Sequence, residues 1–152
     1  MNNFLQQIPS ELLQLLAEIG YVGVNNGFFK ESQAIFDAIV KARPDSLDAL
    51  LAQGIGHIFS GQIANGSKSL FKVLEKNPEN ELAKSFLAVA FKMTNVDSHA
   101  VAAAESVVKY GENPSAQQLA QAILDTYKKE LSPMDLQTQQ ASQFSQTSNA
   151  LL

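Results

Sequence analysis

A chain of 152 residues, 45% apolar and only 17% charged, has the composition of one globular domain with a real core. A formal charge of −4 argues against nucleic acid or an anionic membrane surface as partner, and no stretch approaches the ~18 apolar residues of a membrane span. With no cysteine there is no disulfide, thiolate metal site or cysteine nucleophile, and "MNNFLQQIPSELLQ" lacks the features of a signal peptide, so a soluble cytoplasmic protein is expected.

The apolar spacing along the chain predicts helices throughout. Ser10, after Pro9, suits the cap of a helix running to about Asn26, followed by a second over Lys30 to Ala42. Two more are expected over Ser46 to Ser60 and Ile63 to Lys76, then a pair over Glu81 to Thr94 and Ser98 to Lys109. The segment "NPSAQQLAQAIL" offers Ser115 as a cap with Gln118 three residues on, opening a last helix to about Leu131. Its Leu119, Ile123 and Tyr127 fall four apart on one face, which suits a lid over the end of the preceding pair. Residues 1–131 therefore form the domain. Residues 132–152, rich in Gln, Ser and Thr, read as a flexible tail with scattered apolar residues.

A shift of 34 positions superimposes the first two helix pairs. Gly20 falls on Gly54, Gly27 on Gly61 and Pro44 on Pro78, while Leu13, Leu16, Phe36, Ile39 and Val40 fall on Leu47, Leu50, Leu70, Val73 and Leu74. A second shift carries on to Ala88, Asn95, Val107 and Val108, with the proline slipped to Pro114. A repeat of this length means stacked supersecondary units.

The register assigns the glycines of "LLAQGIGHIFSG" to packing and helix ending, not to a phosphate loop. A phosphate loop needs glycines between a strand and a helix, with backbone amides converging on the ligand, and no strand precedes this stretch. Neither His57 nor His99 has a partner at metal-ligand spacing, and no serine stands in a nucleophile-elbow pattern. No catalytic residue, metal or cofactor is implied, and an enzyme is not expected.

The period and its residue types resemble the tetratricopeptide (TPR) repeat, a pair of antiparallel helices per unit. Gly20, Gly54 and Ala88 stand at its small position in the first helix, and Gly27, Gly61 and Asn95 at its helix-ending position. Ser32, Gly66 and Ala100 take the small position of the second helix, with Phe36 and Leu70 as its large apolar lock. The resemblance implies an all-α solenoid of about three hairpins plus a closing helix. It also implies a concave inner face carried by the first helix of each pair. That face would hold Gln14, Ala17, Tyr21, Val24 and Asn25, then Asp48, Leu51, Ile55, Ile58 and Phe59, then Leu82, Ser85, Val89, Lys92 and Met93. The partner-binding groove is accordingly expected at Ala17, Tyr21, Val24, Leu51, Ile55, Ile58, Phe59, Leu82, Val89 and Met93. Ala17, Tyr21, Leu51 and Ile55 stand where carboxylate-clamping TPR domains carry Lys, Arg or Asn, so a carboxylate clamp is a poor fit.

Three such units, a closing helix and an apolar groove look like the TPR chaperones of bacterial type III secretion systems, most of all the needle-subunit branch. The segment "ELAKSFLAVAFKMTNVDSHAVAAAESVVKYGENPSAQQLAQAIL" carries most of this likeness, through Val107 and Val108 before Gly111 and the helix beyond. The resemblance implies that the groove holds an apolar helix of a self-assembling needle subunit and prevents premature polymerisation. Each buried Leu-, Ile- or Phe-like anchor would contribute roughly 1.5–3 kcal/mol, against an ordering cost of about 2–5 kcal/mol for a ligand that folds on binding. A small helical co-chaperone would meet the N-terminal surface around Phe4, Leu5 and Ile8. The alternatives are a translocator chaperone of the same machinery and a general TPR scaffold whose groove is filled by its own tail.

Overall fold

The computed structural model describes residues 7–130, and the tail expected over 132–152 lies outside them, as do Phe4 and Leu5. Seven helices make up the described residues: α1 (Ser10–Asn25), α2 (Phe29–Ala42), α3 (Leu47–Phe59), α4 (Ile63–Lys76), α5 (Glu81–Met93), α6 (Asp97–Tyr110) and α7 (Pro114–Glu130). They pair as three hairpins, α1–α2, α3–α4 and α5–α6, with α7 laid against α5 and α6. The array is an all-α, TPR-like helical repeat.

Local chemistry sets the boundaries. Ser46 and Asn80 cap α3 and α5 by accepting from Ala49 N and Ala83 N at 3.2 and 2.9 Å. Two expected caps are corrected. Ser10 is the first residue of α1, and the chain turns into that helix at Pro9 without a side-chain cap. At α7 the cap is Asn113, whose Oδ1 accepts from Ala116 N at 3.0 Å, leaving Pro114 at the first helical position where its missing N–H costs nothing. The first two hairpins turn through Gly27 and Gly61, both at φ +82°, and the third through Asn95 at φ 57°. This is the left-handed region that glycine and asparagine tolerate best.

Close approach of the paired helices needs the small residues. A Cβ on Gly54 would stand 2.8 Å from Leu70 Cδ2 and 3.2 Å from the Gly66 carbonyl. Three cores follow one another along the array. Leu13, Phe36, Ile39, Ala42, Ala49 and Ala52 fill the first hairpin and its boundary with α3. Leu50, Leu51, Ile55, Ile58, Leu70, Val73, Ala83, Leu87 and Ala90 fill the second and its boundary with α5. Ala88, Ala104, Val107, Ala116, Ala120 and Ile123 close the third beneath α7.

Polar contacts pin α7 in place. Glu81 accepts from the backbone N–H groups of Glu112 and Asn113, both at 2.8 Å, and so fixes the α6–α7 turn. Ser85 donates to the Ala116 carbonyl at 3.0 Å. Lys92 pairs with Glu130 at 2.7 Å and lies 3.8 Å from the Tyr127 ring centroid. The Tyr127 hydroxyl donates to Asp97 at 2.8 Å. Its pKa is pushed up to about 12, first by desolvation and then by the hydrogen bond and charge of Asp97.

Candidate functional site

The inner layer consists of α1, α3 and α5, with α3 between the other two. Between α1, the end of α2 and the start of α3 lies a cleft of about 580 Å³. Leu13, Ala17, Ala49, Ala52 and Ile39 give it an apolar lining, and Gln14, Tyr21, Asp48 and Arg43 add polar groups. The alanines keep the cleft open, since larger side chains at those positions would fill it.

Tyr21 lies partly against Phe36, with ring centroids 5.2 Å apart and planes at 53°. Burial, and then the negative charge of Asp48, raise the pKa of its hydroxyl. It therefore stays a neutral hydrogen-bonding group at the mouth. Arg43 closes one end, donating from Nη2 to the Ile8 carbonyl at 2.7 Å and from Nη1 to the Ala42 carbonyl at 3.0 Å. Ile8, the one residue of the expected N-terminal docking surface that is described, is half-buried and packs against the first core.

The expected groove residues divide into two groups. Ala17, Tyr21 and Val24 are half-buried to exposed on α1, and Ala17 and Tyr21 line the cleft. Phe59 and Met93, at the ends of α3 and α5, are 41% and 54% exposed. Leu82 and Val89 are half-buried between the second and third cores. Leu51 and Ile55 are buried in the second core, and Ile58 is wholly enclosed there. Leu51, Ile55 and Ile58 are thus corrected from groove lining to core. The reason is position: α3 has inner-layer neighbours on both sides, whereas α1 has one, so equivalent residues close over in the middle unit and stay open in the first.

An aromatic row runs across the hairpins from this layer. Phe59 stacks on Phe29, with centroids 6.1 Å apart and planes at 12°, and meets Phe86 edge-on at 6.3 Å. Such pairs favour offset and T-shaped geometries. Phe59 offers its remaining exposed area beside an already ordered ring.

Sequence reasoning missed two features. The first is the contribution of Ile39, Arg43, Ser46, Ala49 and Ala52 to the cleft, supplied by the α2–α3 junction. The second is a polar chain between hairpins. Ser69 Oγ donates to Gln53 Oε1 at 3.0 Å, Gln53 Nε2 to Asp37 Oδ1 at 2.7 Å, and Gln33 Nε2 to the same oxygen at 2.8 Å. His57 Nε2 lies 3.1 Å from Gln33 Nε2 and 3.6 Å from Asp37, so this histidine belongs to the chain. His99 packs its ring on Phe91 at 5.3 Å. No group of metal-ligating side chains comes together among the described residues, and no helix there is long and apolar enough to cross a membrane.

Comparison with known proteins agrees with this architecture. The family described as bacterial type III secretion protein (HrpB1_HrpK) matches residues 4–129. Comparison with curated proteins finds no significant match. Among solved structures, the chain is similar to the type III secretion translocator chaperone SycD of Yersinia enterocolitica. The TM-score is 0.65 at 16% identity, over 82% of this chain and 99% of that one. A chain of the CopN–Scc3 complex gives 0.62 at 20% identity, over 79% and 71%. The Sgt2 TPR domain of Aspergillus fumigatus gives 0.64 at 14% identity, over 80% and 83%. These likenesses establish the TPR-like fold.

Proposed function

The chain belongs to the HrpB1_HrpK family of bacterial type III secretion proteins, and from that premise we propose that it is a chaperone whose inner face holds an apolar segment of a secreted protein in the cytoplasm before export. One observation carries the reading: the α1–α3 cleft of about 580 Å³, with its small-residue lining. It has room for two or three aliphatic side chains, and the exposed Phe59 and Met93 extend apolar surface from the same layer. Methionine adapts to varied shapes, and an aromatic ring offers large area at low entropic cost.

The ligand is an amphipathic helix of a self-assembling needle subunit. Anchors spaced three and four residues apart would enter the cleft and cover Tyr21, Phe59 and Met93, the exposed members of the groove Ala17, Tyr21, Val24, Phe59, Leu82, Val89 and Met93. Leu51, Ile55 and Ile58 belong to the second core and hold α3 in place. Holding that helix keeps its apolar face from pairing with other copies of the subunit, a task that needs binding and no turnover.

The test is co-expression of the full chain with the needle subunit of its own secretion system, followed by co-purification and sedimentation. A soluble complex lost in Tyr21→Asp and Phe59→Asp supports the reading. Complex formation with a translocator instead would replace the needle subunit as cargo. Binding to neither secreted protein overturns the chaperone reading.

A further inference from the structure

The inner helices end in register at one edge of the array. Positions 34 apart place Asn25, Phe59, Met93 and Tyr127 one after another on α1, α3, α5 and α7. Phe59 and Met93 are exposed there, and the adjoining turns add Phe28, 60% exposed, and Val96, 37%. Phe59 is already stacked on Phe29 of the first turn. An apolar row therefore crosses the three hairpins, and its setting is uncharged. Residues 25–29, 59–63 and 93–96 contain no acidic or basic side chain, with Lys30 and Lys129 at the borders. Lys92 is held by Glu130, and Asp97 accepts from the Tyr127 hydroxyl.

The chain beyond α7 is delivered to this row. α7 runs alongside α5, from the Ser85–Ala116 bond to the Lys92–Glu130 pair, so it takes the place of the first helix of a fourth hairpin. Its last residue is gripped beside Met93: Lys92 Nζ donates to both Glu130 carboxylate oxygens, at 2.8 and 2.7 Å. The residues that come next read "LSPMDLQTQQASQF" over 131–144, with Asp135 as their single charge. This text does not repeat the second helix of a hairpin. Met134 and Thr138 stand where the register calls for the small residue and the large lock that Ser32 and Phe36 supply in the first unit. Pro133 also disfavours a helical Ser132.

We propose that residues 131–136 run back along this edge and occupy the apolar row, as a built-in competitor for cargo. Packed helices lie about 8–10 Å apart. An extended chain advances about 3.3 Å per residue, so Met134 and Leu136 reach roughly 13 and 20 Å past Glu130, over α5 and α3. The two fall on one face of an extended segment, above Met93 and Phe59, while Asp135 turns to water. A neutral segment on a neutral edge leaves no charge desolvated. Tethering gives it an effective concentration on the order of mM. Two anchors then suffice to hold it, and cargo with further anchors in the cleft displaces it. This regulatory consequence rests on the groove reading, whereas the docking itself does not.

The chain has no tryptophan, so Leu136→Trp in the full chain reports its own surroundings. Its emission should be that of a buried indole at any protein concentration. Adding Met93→Asp, at an exposed position, should shift that emission to the red with helical circular dichroism unchanged. Hydrogen exchange gives the same readout without tryptophan: amides of 131–136 should exchange about 10-fold faster in Met93→Asp than in the unmodified chain. Met134→Asp with Leu136→Asp should then tighten binding of the needle subunit by up to ~10-fold, because apparent Kd scales with the open fraction. Unprotected amides at 131–136 in the unmodified chain overturn the proposal. So does emission that changes on dilution, which would put the segment of a neighbouring copy on the row, and so does a needle-subunit affinity unmoved by the two aspartates. A chain that binds no needle subunit fails the groove reading alone, because emission and exchange are read without cargo.

Discussion

Phe36 of α2 reaches across the boundary between hairpins to Gly56 of α3, where a Cβ would stand 2.6 Å from its Cδ2 atom. The other side of the same ring lies against Gly20, where a Cβ would stand 2.5 Å from Cε1. One fully buried ring is thus held between glycines of two successive units. Gly56→Ala should destabilise the fold by about 1–3 kcal/mol through overpacking, and Phe36→Ala by about 3–5 kcal/mol through the cavity. Combining Gly56→Ala with Phe36→Leu should recover part of the first loss. Urea unfolding followed by circular dichroism measures all three.

Gly61 tests backbone geometry by itself. At φ +82°, nothing lies within 4 Å of where its Cβ would be, so Gly61→Ala should cost only the left-handed strain of roughly 1–2 kcal/mol. Asn95 stands at φ 57°, in a region that asparagine tolerates nearly as well as glycine. Asn95→Gly should therefore change the melting temperature much less, as thermal denaturation will show.

Ile55→Asp and Phe59→Asp should behave differently although both lie on α3. Ile55 is 6% exposed and Phe59 41%. A carboxylate at the first must lose water without a partner, and at the second it stays hydrated. The expected result is loss of helicity for Ile55→Asp, against a folded Phe59→Asp that no longer binds the secreted protein.

The α6–α7 turn should be acid-labile. Backbone N–H bonds from Glu112 and Asn113 hold the Glu81 pKa below its ordinary 4.5. A depressed folded-state value means that the stabilisation is complete above the unfolded value and lost as pH falls through the folded one. Glu81→Gln should lower the melting temperature near neutral pH and narrow its gap from the unmodified chain below pH 4.5.

Gln53→Ala should expose how much the polar chain contributes. It removes the partner of Ser69 and one of the two amides on Asp37, for an expected loss of about 1–3 kcal/mol. A double-mutant cycle with Ser69→Ala measures the coupling.

The fold was legible because its rules are local and repeated. Gly27, Gly61 and Asn95 all take positive φ, and the buried set Ser32, Gly66 and Ala100 falls where the register put it. Caps were less legible, since Pro9–Ser10 and Asn113–Pro114–Ser115 each offer competing residues a position apart. The groove was legible only by analogy between units. Register assigns Tyr21 and Ile55 one role, but exposure depends on how many neighbours a helix has, which no repeat position encodes. The Asp37–Gln53–Ser69 chain escaped notice because its members lie 16 residues apart on three different helices, where no short motif can join them.

That chain has a mechanical corollary. Greasy helix boundaries can slide or rock with little penalty, whereas donors and acceptors facing one another engage at a single alignment. The joint between α2 and α3 is latched in this way, while the joint from α4 to α5 rests on Leu70, Val73, Ala83 and Leu87. Any flexing of the array should therefore concentrate at the second joint, with the first two hairpins moving together as one stiff arm.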